Sequence, residues 1–346
     1  MATIVEQEPV DAVITWVDGA DPKHKAKLDK YLAQIGGARP RAANPSRFHN
    51  SNEIEYCVVS LLRFAPWVRT IFIVADEQQP EFVARLQGTV YESRIKVVDH
   101  KDIFGGYEDS LPTFNIRSIM TLLWRIPGLS ENFIFLNDDF ALIRPVEKTD
   151  FFRDGKVVVR GRWVKFSERK FARKIVAWWR NFSGASQQKK SQMRVRHLAA
   201  QEYSAKLAGM KTHYYQLQHN PHPWRRSTFE AFFFANLPLC EENLKHRFRS
   251  ADQFIGECLA AHLEISRGEA ILENTLETLQ LKPAEQSLVR LKQKLSAADV
   301  GDKYAFVCVQ SLEDASPEAV NLVKEWLNRK VGDLTGLLKA QKSVDQ

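Results

Sequence analysis

The chain has 346 residues and a formal net charge of +7, with 44% hydrophobic and 26% charged residues, the balance of a globular protein of one large or about two smaller domains. That excludes a disordered or fibrous chain, and the absence of any run of about eighteen apolar residues argues against a membrane-spanning helix. The stretch from Met1 to Pro9 has no basic n-region or apolar core, so no signal peptide is read. Cys57, Cys240, Cys258 and Cys308 form no C-x-x-C pair, which argues against a zinc finger or a disulfide scaffold and for the cytoplasm.

In chain order, Val10 to Val17 reads as a first strand, closed by Asp18-Gly19-Ala20-Asp21-Pro22. Gly19 suits a tight turn and Pro22 the first turn of a helix from Lys23 to Gln34. Asp18 thus falls at a strand's carboxyl end, although Asp18 and Asp21 could equally serve as helix caps. Gly36 to Ser46 is loop. Asn50 to Glu53 opens a helix whose apolar positions Ile54, Val58, Leu61 and Leu62 run up to Pro66. Thr70 to Ala75 is a second strand, Phe82 to Leu86 a short helix and Ile95 to Val98 a third strand. A helix from Leu111 to about Arg125 follows, with Ile116, Ile119, Met120 and Leu123 as its stripe.

The chain then reaches Asn132-Phe-Ile-Phe-Leu-Asn-Asp-Asp-Phe140. Its unbroken apolar run suits a strand buried on both faces that delivers Asn137, Asp138 and Asp139 at its carboxyl end, where open α/β sheets bind ligands. Adjacent carboxylates repel, and a hard divalent cation bridging to phosphate oxygens relieves that repulsion. A plain surface turn is the alternative, since Asn and Asp favour turns. Strands alternating with helices predict an α/β fold with a mostly parallel, doubly wound sheet. No G-x-G-x-x-G follows the first strand and no P-loop occurs anywhere, so neither motif accounts for the site.

The second half is more basic. Fourteen Lys or Arg lie between Arg160 and Lys211 against Glu168 and Glu202, a local balance of +12 that leaves −5 for the rest. Such a segment directs a field at an anion: nucleic acid, a lipid surface or a phosphate-bearing polymer. Val157 to Val159 reads as strand, Phe166 to Phe182 as a basic helix and Ser183 to Ser191 as loop. Trp178 and Trp179 on that helix face either a membrane surface or the core.

In His219-Asn-Pro-His-Pro-Trp-Arg-Arg226, Pro223 suits the first turn of a helix from Trp224 to Phe234. That places His219 and His222 at or before a helix N-terminus, which favours the neutral imidazole a general base requires. Their spacing also suits a metal clamp, with no cysteine near in sequence to complete a zinc set. Arg249 offers a bidentate fork for phosphate or a surface ion pair. Tyr304 to Val309 is a strand, Ser316 caps a last helix, and the tail from Lys339 is expected to fray.

Four blocks together resemble the conserved regions of the stealth family: Val13 to Gly19; Asn52 to Phe152; His219 to Arg226 with Phe248-Arg-Ser-Ala-Asp252; and Phe306 to Trp326. The second is the most specific, with Ala65-Pro-Trp-Val68, Ile71-Phe-Ile-Val74, His100-Lys-Asp-Ile-Phe104, Leu111-Pro-Thr-Phe114 and Phe135-Leu-Asn-Asp-Asp139 in the family's order. That family contains bacterial capsular polysaccharide phosphotransferases and the catalytic subunit of the lysosomal-enzyme N-acetylglucosamine-1-phosphotransferase.

The resemblance implies transfer of a hexosamine 1-phosphate, N-acetylglucosamine 1-phosphate first, from a UDP-sugar to a saccharide hydroxyl with release of UMP. It implies a glycosyltransferase-A-like nucleotide-sugar-binding part at 1–155, a helical basic insertion at 156–215 that binds acceptor or a membrane surface, the rest of the catalytic domain at 216–335, and a frayed tail at 336–346. On this reading Asp138 and Asp139 hold a divalent metal, Mg²⁺ first. Asp138, His219 or His222, and Arg249 are catalytic. Asp18, Asn115, Arg117, Asn137 and Asp252 bind donor or phosphate. The acceptor is an anionic capsular oligosaccharide, met in the cytoplasm or at the inner face of its membrane. The alternatives are a metal-dependent glycosyltransferase that releases UDP and a basic nucleic-acid-binding protein; no RRM, KH or helix-turn-helix pattern supports the latter. Many family members carry two arginines where this chain has Glu55 and Val59, so a donor contact made by them must be absent here or come from Arg63 or Arg47.

Overall fold

The computed structural model describes residues 8–37, 39–40, 43–44, 48, 50–167 and 188–344, with backbone alone for 188–196 and 342–344. The basic helix expected from Phe166 to Phe182 therefore lies almost wholly outside the described residues, as do Trp178, Trp179 and Arg47.

Strand β1 (Val10–Thr15) is buried along its whole length. It lies between β2 (Val68–Ala75) and β4 (Asn132–Asn137), parallel to both. With β3 (Ile95–Asp99) and β9 (His222–Arg225) they form a sheet of order β3-β2-β1-β4-β9, in which β9 runs antiparallel to β4. Alternate residues feed opposite faces. Ala12, Ile14, Ile71, Ile73, Ile134 and Leu136 join one core, while Val13, Phe72, Val74, Phe133 and Phe135 join the other. Burial on both faces is why these strands read as continuous apolar runs. Asp11, fully buried within β1, ties the strands at their other end: it accepts from Arg69 Nε at 2.9 Å, Thr70 N at 3.1 Å and Ser130 N at 2.7 Å.

Helix α1 (Pro22–Gln34) begins where Asp21 accepts from Lys23 N and His24 N, with Pro22 in the first turn. Gly19 is needed for a closer reason than its turn. Its N–H donates to Phe48 O at 2.5 Å, and an added Cβ would meet that oxygen at 2.4 Å. Helix α2 (Glu53–Phe64) and helix α4 (Ile116–Leu122) cover the sheet; between them a single turn, α3 (His100–Ile103), follows β3 directly.

After β4 the chain turns at Asp138-Asp139 into β5 (Phe140–Leu142), which pairs antiparallel with β12 (Tyr304–Val309); β11 (Glu277–Leu281) lies parallel to β12. The acidic turn is thus the corner between two sheets, and Val309 N pins it by donating to Asp139 O at 3.0 Å. A third sheet joins β6 (Phe152–Arg153), β7 (Lys156–Lys165), β8 (His213–Leu217) and β10 (Ala270–Glu273). The basic stretch accordingly enters as strand β7. It returns as α5 (Gln188–Leu207) and β8, where Ser204 Oγ accepts from Ile255 N at 2.8 Å. Residues 188–191, expected as loop, begin that helix.

Two other expectations are corrected. His222, Pro223 and Trp224 lie on edge strand β9, and the helix α6 starts only at Arg226 and runs to Ala235; an edge strand tolerates proline because it has no second neighbour to bond. The tail is not frayed through 344. Beyond α7 (Leu237–Leu244), α8 (Gly256–Arg267) and α9 (Leu288–Asp299), helix α10 (Pro317–Lys330) leads to α11 (Leu334–Val344), whose Leu334 is fully buried. Among the described residues no helix is long and apolar enough to cross a membrane.

Candidate active site

The carboxyl ends of β1, β2 and β4 open onto one cavity of about 570 Å³. Thr15, Trp16 and Val17 line it after β1, Asp76 after β2, His100 after β3, and Asn137 to Asp139 after β4. Two walls come from distant sequence: Arg249, from the segment between α7 and α8, and Val309 to Ser311 with Glu313, which follow β12.

One end is acidic. Asp138 and Asp139 meet Glu53, the first residue of α2. Burial pushes the Asp138 carboxyl well above the usual range, and the negative charges of Asp139 and Glu53 add to it. Burial likewise raises Asp139 to about 6, with Glu53 in the same sense, opposed by the Cys308 hydrogen bond and by the positive charge of Arg249. Cys308 Sγ donates to Asp139 Oδ2 at 3.3 Å. Asp139 Oδ1 and Asn137 Oδ1 are buried with no hydrogen-bond partner among the described residues. Buried acceptors left empty beside repelling carboxylates are what a bound cation satisfies, and an all-oxygen donor set fits Mg²⁺ or a similar hard ion.

The other end is polar and neutral. Thr15 Oγ1, Trp16 Nε1, His24 Nε2, His100 Nδ1 and Thr113 Oγ1 are all buried without a hydrogen-bond partner among the described residues, and all five side chains line the cavity. Burial lowers the pKa of His24 and takes that of His100 down to about 4, against the pull of Asp76 on both. Two neutral imidazoles, two hydroxyls and an indole N–H await polar groups, because leaving such atoms unpaired costs about 1–3 kcal/mol each.

The residues singled out from sequence do not all reach the cavity. Asn137, Asp138, Asp139 and Arg249 share the cavity. Asp18 stands just past its rim, with Oδ1 accepting from Ala20 N at 2.8 Å and its backbone clasped by Gln78 on both N–H and C=O. Asn115 and Arg117 brace the wall instead of lining it. The Asn115 amide donates to His246 O and Gln253 Oε1, both at 2.8 Å, and Arg117 Nη1 donates to Ser250 O at 2.7 Å. Phe114 stacks on Phe248 with centroids 5.5 Å apart, so residues 114–117 hold the segment that carries Arg249. Asp252 is exposed and accepts from Ser250 Oγ at 3.2 Å.

His219 and His222 part company. His222 is buried on β9 opposite Phe135. His219 sits in the preceding loop, its ring 4.8 Å from that of Phe140 and its Nε2 3.2 Å from Gln310 Nε2. Burial holds both imidazoles neutral, at about 4 for His219 and about 3 for His222. Cys308, remote in sequence, lies beside His219 and Asp139.

Neither replaced arginine position points into the cavity. Glu55 pairs with Arg85, and Val59 is fully buried. Arg63 donates to Val331 O at 2.9 Å, holding the start of the C-terminal helix, and is not among the lining residues. Sequence reasoning missed Glu53, His24 and His100 as site residues. Their position before or within a helix resembled ordinary capping and core chemistry.

Residues 8–36 match stealth protein CR1, conserved region 1, and residues 47–159 match stealth protein CR2, conserved region 2. The exopolysaccharide phosphotransferase SCO2592 of Streptomyces coelicolor is 45% identical over 145 residues, which are 42% of this chain and 15% of that protein. A capsular polysaccharide phosphotransferase of Actinobacillus suis is 39% identical over 150 residues, 43% of this chain and 39% of that one. The aligned part is thus less than half of each curated relative. The galactosyltransferase LgtC, solved with donor and acceptor sugar analogues, superposes with a TM-score of 0.44 at 10% identity over 93% of this chain and 95% of that one. The first two conserved regions supply β1 through β6 and the start of β7, including the acidic corner, and over those residues the chain matches the stealth family.

Proposed function

We propose that this chain is a polysaccharide phosphotransferase that moves N-acetylglucosamine 1-phosphate, or a related hexosamine 1-phosphate, from a UDP-sugar to a hydroxyl of a capsular saccharide. The observation that carries this reading is the convergence of Asp138, Asp139 and Glu53 with Arg249 on one cavity at the carboxyl end of the parallel sheet. The relatives named above are phosphotransferases of capsular and extracellular polysaccharide, which supports the same class of reaction.

The acceptor oxygen attacks the phosphorus that bears the sugar, a new O–P bond forms, and the phosphoanhydride bond breaks so that UMP leaves with the electron pair. Asp138, Asp139 and Glu53 hold a divalent cation, Mg²⁺ first, which when bound supplies positive charge to the diphosphate. Arg249 faces the phosphoryl oxygens. His219 takes the acceptor proton: it is neutral at pH 7 and less deeply buried than His222. The unpaired groups of Thr15, Trp16, His24, His100 and Thr113 receive the nucleotide. Within the basic stretch, exposed Arg162, Lys165 and Lys211 offer charge to an anionic acceptor, whereas Arg160 is buried against Glu273 and serves packing. The reaction runs in the cytoplasm, with the basic stretch near the inner membrane face.

The test is the nucleotide released from UDP-N-acetylglucosamine with Mg²⁺ and a capsule-type oligosaccharide. UMP is expected, abolished by EDTA and lowered roughly 10³-fold by Asp138→Ala. Release of UDP would overturn phosphotransfer in favour of glycosyl transfer.

A further inference from the structure

The ligand atoms of Asp139, His219 and Cys308 all lie within 4.8 Å of one another. They come from three separate parts of the chain: the corner after β4, the loop before β9 and the penultimate residue of β12. Each is held by the scaffold, and Cys308 and Asp139 also by the hydrogen bond between them. Cys308 is fixed by its pairing with Phe140, Asp139 by the hydrogen bond from Val309 N to its carbonyl, and His219 by its packing on Phe140 and its contact with Gln310. Sulfur and carboxylate oxygen are 3.3 Å apart, close to the roughly 3.5 Å that tetrahedral bonds of about 2.3 Å to sulfur and 2.0 Å to oxygen impose. Asp139 Oδ1 is buried and has no hydrogen-bond partner among the described residues. Gln310, next to the triad, lines the cavity together with Asp139.

We propose that Asp139, His219 and Cys308 form a zinc-class metal site that overlaps the hard-cation site of the acidic corner. One thiolate, one imidazole and one carboxylate make a borderline-soft set that favours Zn²⁺ or Co²⁺ over Mg²⁺. On binding, the Cys308 S–H bond breaks, its proton passes to solvent, and a sulfur–metal bond forms. The two sites share Asp139. Resting on the proposed function, the consequence is a brake: zinc withdraws Asp139 and His219 from the transfer reaction, so micromolar zinc inhibits where magnesium activates.

The site itself is tested without activity. Untagged, metal-free full-length protein is titrated with Co²⁺ and the thiolate-to-cobalt charge-transfer absorption is read in the near ultraviolet. One equivalent is expected to saturate the band, an equimolar amount of Zn²⁺ to erase it and an equimolar amount of Mg²⁺ to leave it. Cys308→Ser removes the band, while Cys57→Ser, which changes another buried cysteine, retains it. His219→Ala weakens Zn²⁺ binding at least about tenfold. Absence of the band in the unmodified protein, or its survival in Cys308→Ser, overturns the site. If the band forms but zinc leaves UMP release unchanged, the brake fails and the site stands. If no transfer is detected at all, the proposed function fails and the cobalt result is unaffected.

Discussion

His262 is fully buried on α8, and its two ring nitrogens have fixed opposite duties. Nε2 accepts from Tyr215 N at 2.9 Å, so Nδ1 must carry the proton that is donated to Cys258 O at 2.6 Å. Only the neutral ring satisfies both. Burial accordingly takes its pKa down from the ordinary 6.5 to about 4. The unfolded chain then binds this proton first, so the stabilisation is complete above pH 6.5 and is lost as pH falls toward 4. At about pH 5 the loss amounts to roughly 2 kcal/mol. His100, lowered to about 4 by burial, acts in the same sense. Urea melts at about pH 7 and pH 5 are expected to show the wild type losing more stability than His262→Gln, whose amide can serve both partners without titrating. An equal loss in the two proteins would remove His262 as a source of acid sensitivity.

The same scale shows what sequence reveals about a site. Asn137, Asp138 and Asp139 were legible because an apolar run buried on both faces has to stop somewhere, and what stops it faces the ligand end of the sheet. The turn reading was equally sound, since the corner is a turn as well. Asn115 and Arg117 bond to His246 O, Gln253 Oε1 and Ser250 O of the segment that carries Arg249, a bracing role only coordinates disclose. Cys308 was illegible as a neighbour of His219 because 88 intervening residues fold back through all three sheets to join them.

At the scale of elements, the β1–α1 loop, legible from Asp18-Gly19 and Pro22, is fastened to the residue-48 segment by backbone contact at Gly19. Phe48 also packs against His24 and Phe114, with ring centroids 5.2 and 6.4 Å away. A methyl group at position 19 would meet Phe48 O at 2.4 Å and Phe48 Cβ at 2.5 Å, so the segment must retreat and take a cavity wall with it. Gly19→Ala is expected to lower stability by about 1–3 kcal/mol and to weaken nucleotide binding more than turnover. Thermal melts with calorimetric titration of UMP would test this; unaltered UMP affinity would place Phe48 outside the nucleotide site. β9 was the element misread, because His-Pro-Trp-Arg satisfies the rules for a helix start. What decides it is tertiary: β4 has an open edge beside Phe133 and Phe135, and Trp224 fills it, its ring 5.0 Å from Phe135.

For the whole molecule, the matched family regions end at residue 159, yet the cavity does not. β11 and β12 complete the sheet that begins with β5, and Phe306, Val307 and Cys308 of β12 face Leu142, Ala141 and Phe140 across the ladder. Helices α10 and α11 then return to α2, where Tyr56 Oη donates to Asn328 Oδ1 at 2.7 Å and Arg63 reaches Val331 O. The short apolar edge of β5 and one face of α2 therefore stay uncovered until the last seventy residues arrive. A chain ending at Thr275 would lose Val309 to Glu313 from the cavity and uncover Leu142, Phe140 and much of the surface of α2. Exposing such an edge invites strand pairing between molecules. The truncated chain is expected to aggregate on expression, or to melt without a cooperative transition, whereas the full chain melts cooperatively. If residues 1–275 were instead monomeric with a sharp melt, the amino-terminal sheet would be an independent folding unit, and the C-terminal strands a separable lid on its site.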